Sequence, residues 1–125
     1  MIAEIQRFTN SYNKKKQISG LFRTNRLLVV DFGEWLMQIS AESAALLEDI
    51  PNGDADYISI KGSREALKEL VGGRERLRAL AALGVLEVTG SFRSVLLLEA
   101  IFLLAKENHF EDKVNLFIDE RNSVR

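Results

Sequence analysis

A single histidine, His109, is the only imidazole available to act as a general base or to complete a Ser-His-Asp arrangement. It stands in the polar run Lys106-Glu107-Asn108-His109, where a solvated or capping role is the expectation. Asn52, Asp54 and Asp56 repeat the first ligand positions of a calcium loop, but the required glycine is replaced by Tyr57 and the bidentate glutamate by Ser63. Asp54 and Asp56 are therefore read as turn residues leading into a strand. The run GGRERL, from Gly72 to Leu77, lacks the Lys-Ser/Thr pair that would hold phosphate and magnesium, and no Gly-x-Ser-x-Gly elbow occurs. The neighbouring carboxylates Glu48-Asp49, Glu111-Asp112 and Asp119-Glu120 have nothing around them that marks a cleft, so solvated surface is their default. The chain has no cysteine, which removes disulfides, thiolate catalysis and Cys-based zinc sites together. The expectation is a protein that is not an enzyme and uses no metal and no cofactor.

Composition narrows the class further. At 125 residues the chain is expected to form one domain, residues 1–125, with 46% apolar residues, enough for a real hydrophobic core. With 28% charged residues and one proline it lies in the globular rather than the disordered range. The net charge of −1 hides an asymmetry: residues 1–26 carry +5 and the remainder −6. Such a basic end can meet phosphates, of nucleic acid or of lipid headgroups. Lys14, Lys15 and Lys16 have no interleaved aromatics and no recognised nucleic-acid motif around them, so a solvated loop is the first reading and no nucleic-acid partner is expected. A headgroup role at a membrane surface for Arg7, Lys14, Lys15 and Lys16 is a further hypothesis.

The elements follow from periodicity. Ile2, Ile5, Phe8 and Tyr12 fit a short amphipathic helix, and residues 13–20 a polar connector. Leu27–Phe32 and Trp35–Ser40, joined at Gly33-Glu34, read as a hairpin. Ala44–Ile50 suits a helix or a third strand. After the Pro51-Asn52-Gly53 turn, Tyr57–Lys61 alternates as a strand. Ser63 offers an N-cap with Glu65 in the first turn, and the helix it opens turns Leu67, Leu70 and Val71 inward and stops at Gly72-Gly73. A second helix is expected over Arg74–Leu83, then a strand over Val85–Thr89 and an apolar helix from Ser91 to Ala105. Glu111–Glu120, with Val114, Phe117 and Ile118 at helical spacing, closes the chain.

The apolar helix poses the main question. Ser91–Ala105 is only fifteen residues, about 22 Å as a helix, whereas a bilayer core of roughly 30 Å wants about 20 apolar residues. No apolar leader opens the chain either, since residues 1–10 include Glu4, Arg7 and Asn10. A soluble, cytoplasmic protein is expected. Projected at 100° per residue, Val95, Leu97, Leu98, Ile101, Phe102, Leu104 and Ala105 fill one broad arc. Phe92, Leu96, Ala100 and Leu103 form a second stripe, bounded by Glu99 with Lys106 on one side and by Arg93 on the other. One face can cover a sheet. The other is open to three partners: the remaining helices, a second copy of the chain in a homodimer, or an apolar ligand.

The stretches ADYISIKGSREALKELVGG and ALGVLEVTGSFRSVLLLEAIFLLA resemble the sterol carrier protein type 2 domain, and LLVVDFGEWLMQIS resembles that family's opening strands. The resemblance covers about Leu27 to Ala105, with residues 1–26 as a basic N-terminal helix and connector and residues 106–125 as a C-terminal tail. It implies an α+β fold, a five-stranded mostly antiparallel sheet covered on one face by helices, with an apolar tunnel or cavity between the layers. It implies a carrier for a sterol, a fatty acyl chain or another isoprenoid lipid. By position the lining residues would be Trp35, Leu77, Leu80, Phe92, Leu96 and Leu103, with Phe110, Val114, Phe117 and Ile118 in a closing tail. The competing class is an interaction or accessory module, docking a partner enzyme or another subunit through the apolar stripe.

Overall fold

The structure is a computed structural model that describes residues 1–15, 27–51 and 53–106. Helix α1 spans Ile2–Lys14, strands β1 to β3 span Leu28–Asp31, Leu36–Ile39 and Ala44–Leu47, and β4 spans Asp56–Gly62. Two short helices follow, α2 at Arg64–Val71 and α3 at Leu77–Ala82, then β5 at Leu86–Thr89 and the long helix α4 at Phe92–Ala105. The strands form one mixed sheet in the order β3-β2-β1-β4-β5. β1 pairs parallel with β4, and the other three pairings are antiparallel. The expected α+β class and the five-strand count both hold.

Strand alternation decides which side of the sheet is covered. Leu28, Val30, Met37, Ile39, Ile58 and Ile60 point to one face and are almost completely buried. They meet Ile5, Phe8, Leu70, Leu77, Leu98, Ile101 and Phe102 from the helices in a single cluster. On the opposite face, Gln38 and Ser59 are half-buried and Tyr57 and Lys61 are exposed. A fully buried side chain of this kind contributes about 1.5–3 kcal/mol, so the cluster is what holds the helical layer on the sheet.

α1 is attached by more than its apolar face. The Tyr12 hydroxyl donates to the Ser40 carbonyl at 2.5 Å. The Asn13 side chain donates to the Ala44 carbonyl at 3.2 Å and accepts from the Ala44 N–H at 2.8 Å, satisfying both backbone groups of the residue that opens edge strand β3. At the same end of α1 the Ser11 hydroxyl donates to the Ala105 carbonyl, and Lys15 Nζ donates to the carbonyls of Leu104 and Lys106, each at 3.2 Å. The C-terminus of one helix thus supplies donors to the unsatisfied carbonyls at the C-terminus of another.

The sequence leaves Ala44–Ile50 open between helix and strand; Ala44–Leu47 is a strand, because Leu36–Ile39 gives it a complete antiparallel partner. The second helix was expected from Arg74 but begins at Leu77. The N–H groups of Arg74 and Glu75 turn back to the Glu69 carbonyl, and the Arg74 guanidinium bonds the Glu69 carboxylate and the Lys68 carbonyl. These residues therefore finish α2 instead of starting α3, and Arg76 takes an extended conformation before the helix. Gly73 sits at φ +73, where a Cβ would lie 2.6 Å from Lys106 Cβ and 2.7 Å from the Phe102 carbonyl oxygen. Only glycine lets this turn approach α4 so closely. The stretch Glu111–Glu120, with Phe110 before it, lies outside the described residues.

Candidate functional site

The candidate site is built on α4. Ser91 caps it, its hydroxyl oxygen accepting from the Ser94 N–H at 3.1 Å, and the fourteen residues that follow contain neither glycine nor proline. Leu98, Ile101, Phe102 and Ala105 form its buried face on the sheet, with Val95 and Leu97 packed beside them. Leu104, expected in that arc, is 50% exposed, so the covered face is narrower than the projection drew it.

The second stripe is graded along its length. Phe92 is 68% exposed, while Leu96, Ala100 and Leu103 are half-buried. Helix α3 lies against α4, joined by Arg78 Nε donating to Glu99 Oε2 at 2.7 Å. Leu77 and Leu80, two of the expected lining residues, are both buried on α3 within the core cluster. Glu99 is only 5% exposed, an enclosed carboxylate with leucine on both sides of it along the stripe, and its Oε1 has no hydrogen-bond partner. Sequence reasoning marked Glu99 as the border of the stripe and missed its burial. The spacing of Arg78 and Glu99 offered no local signal, because the pair is 21 residues apart and is made only by helix packing.

Trp35 belongs to a different place. It is half-buried at the β1–β2 turn, packed on the core, with its Nε1 shielded and unpartnered. It lines a cavity of ≈ 230 Å³ with Met1, Phe32 and Leu67, beside the exposed ion pair of Arg64 and Glu34 at 3.5 Å. A second cavity of ≈ 170 Å³ lies among α1, the end of α2 and the end of α4, where Arg7, Arg74 and Lys106 surround Phe8 and Val71. Glu4 in this cavity has its carboxyl held below the usual carboxylate range, first by a backbone hydrogen bond and then by the N-terminal ammonium, 3.3 Å away. Both volumes are below the roughly 300–1,000 Å³ of a small-molecule site. The structure therefore brings Leu77, Leu80, Leu96 and Leu103 to the α3–α4 layer and leaves Trp35 apart at the hairpin turn.

Of the basic residues proposed for headgroups, Arg7 and Lys14 are exposed on α1, and Lys15 is engaged with the α4 carbonyls. Lys16, Phe110 and Phe117 lie outside the described residues. Among the described residues no cluster of three or more His, Asp or Glu side chains is placed to hold a metal ion. No described helix is long and apolar enough to cross a membrane.

No protein-family model matches the chain, and no curated protein sequence does. Solved structures do match it. A UbiJ-SCP2 ubiquinone synthesis protein superposes with a TM-score of 0.58 at 23% identity, over 78% of this chain and 88% of that one. Sterol carrier protein 2 from Yarrowia lipolytica, in its apo form, gives 0.55 at 20% identity, over 82% and 89%. The sec-alkylsulfatase Pisa1 from Pseudomonas sp. gives 0.52 at 15% identity over 74% of this chain, a match confined to 14% of the larger enzyme. At these identities the likeness is one of fold: this chain has the sterol-carrier-like arrangement of a five-stranded mixed sheet under helices.

Proposed function

We propose that this chain is a non-enzymatic carrier that holds an acyl, sterol-like or isoprenoid chain in an apolar cavity formed as α3 and α4 part. The observation that carries the reading is the outer stripe of α4: Leu96 and Leu103 half-buried and Phe92 open to solvent, on a helix whose opposite side already supplies the core. The fold supports the same reading, since one of its matches is named a sterol carrier protein and another a ubiquinone synthesis protein. Carriage needs no catalytic group: a dry pocket offsets the cost of apolar surface in water by about 0.8 kcal/mol per CH₂ buried.

In this reading Leu77, Leu80, Leu96, Leu103 and Phe92 line or gate the cavity, Phe110 and Phe117 belong to a closing tail, and Trp35 lines the separate cavity at the hairpin turn. Arg7, Lys14 and Lys16 meet anionic headgroups during transfer in the cytoplasm, with Lys15 partly committed to capping α4. Native mass spectrometry combined with organic extraction of the purified protein tests the reading. Co-purified or added acyl or isoprenoid lipid is expected, and a protein that ignores a panel of fluorescent acyl probes defeats it.

A second reading rests on Phe92 at the head of the same stripe. It is an exposed apolar side chain, as are Leu104 on the other arc of α4 and Leu83 at the end of α3, and an accessory protein would use such side chains to dock a partner enzyme or a second copy. Light scattering after size exclusion separates the two, because only the docking reading requires an assembly that hides Phe92.

A further inference from the structure

A buried carboxylate oxygen without a donor is costly, by more than a neutral group would be. Glu99 Oε1 is in that position: it is closed to solvent and unpartnered, while Oε2 is held by Arg78, whose own side chain is about half exposed at 51%. On a helix the residues at i−7, i−3 and i+4 share the face of residue i. For Glu99 these are Phe92, Leu96 and Leu103, the stripe assigned above to the cargo.

We propose that Glu99 is the polar anchor of the cargo, and that the cargo's polar end is a neutral hydrogen-bond donor, an alcohol or phenol hydroxyl, in place of a fatty-acid carboxylate. The inference rests on the carrier reading. The unpartnered oxygen of Glu99 is an acceptor, and it calls for a donor. An ionised fatty acid brings acceptors only and adds a second negative charge to an apolar setting, whereas a hydroxyl donates to Oε1 and leaves the Arg78 pair intact. An ether or ester end of the same size gives Oε1 nothing. An ordered water is the other partner that would satisfy Oε1, but it would do so equally for every cargo, and affinity would then be independent of the headgroup.

The test uses the full chain and three probes with the same sixteen-carbon tail: hexadecan-1-ol, its methyl ether, and hexadecanoate, each measured by displacement of a bound fluorescent acyl probe. The alcohol is expected to bind about tenfold or more tightly than the ether and the acid, as a single hydrogen bond to a charged group allows. Glu99→Leu is expected to erase the preference, and Glu99→Gln to raise relative binding of the acid, with circular dichroism reporting the fold of each. Equal binding of alcohol and ether by the unmodified protein overturns the assignment without recourse to any variant, as does a preference that survives Glu99→Leu. Binding of none of the three defeats the carrier reading itself and this inference with it, whereas binding of all three alike defeats this inference alone.

Discussion

The rings of Phe8 and Phe102 meet edge to face, their centroids 5.0 Å apart, and this contact joins the first helix of the chain to the last one described. Both side chains are buried, and Phe8 also packs on Tyr12 of its own helix. Because α1 has no side-chain cap at its N-terminus and exposes one full face, its stability depends on this packing. Phe8→Ala is expected to cost roughly 3–5 kcal/mol, with α1 detaching first. Chemical denaturation would measure the loss, and hydrogen exchange would show amides of Ile5 to Tyr12 opening ahead of those in β1 and β4.

Tyr12 gives stability a pH dependence at the alkaline end. Its phenol is pushed up to about 12, first by burial and then by the charge of Glu42. The folded-state value exceeds the ordinary phenol value of 10.0, so the stabilisation is fully present below that pH. It is lost as pH rises toward about 12, since the folded protein resists forming the phenolate that the unfolded chain forms freely. Tyr12→Phe removes the hydroxyl and its bond to Ser40. The expected result is a thermal midpoint that falls more steeply between pH 10 and 12 in the parent protein than in Tyr12→Phe. Parallel slopes would show that the phenol titrates alike in both states.

Ser91 positions the start of α4, and therefore the whole stripe. Its hydroxyl oxygen is the acceptor for the Ser94 N–H, and its own hydrogen bond to the Ser94 hydroxyl spans 2.8 Å. Ser91→Ala is expected to cost about 1 kcal/mol, and Ser91→Asp to restore most of it, because a carboxylate caps the same N–H and complements the helix dipole. Urea unfolding of the three proteins gives the comparison.

Phe92 is the residue at which the two proposed readings can be tested apart from folding. At 68% exposure it contributes little to the core, so Phe92→Asp is expected to change stability by no more than about 0.5 kcal/mol. In the carrier reading the same substitution abolishes uptake of acyl probes and leaves the oligomeric state unchanged. In the docking reading it releases monomers from an assembly. A variant that keeps both uptake and oligomeric state unchanged would remove Phe92 from either role.

Local pattern determined most of the elements. The alternation in Trp35–Ser40 and Tyr57–Lys61 marks strands because period two puts every second side chain into the core, and Leu27–Phe32 reads as a strand from its run of Leu and Val, of which Leu28, Val29 and Val30 are all buried. Ser63, Ser91 and Gly72-Gly73 mark helix ends because the orphaned groups there need specific partners. The α+β class and the family resemblance are carried by these same stretches and are legible in the sequence. Where local signals were balanced, packing decided. Ala44–Leu47 became a strand through its pairing with Leu36–Ile39, and Arg74 left its expected helix to bond Glu69.

The candidate site divides along the same line. Periodicity alone set out a helix with two apolar stripes and a glutamate at the border of one, since that depends only on 100° per residue. Only the tertiary structure enclosed Glu99 against Arg78, turned Lys15 onto the carbonyls that end α4, set Trp35 apart from the leucines and left Phe92 in solvent. These are contacts between residues 21 to 91 positions apart, and no short-range pattern encodes them, because they arise from how the helices stack on one face of the sheet.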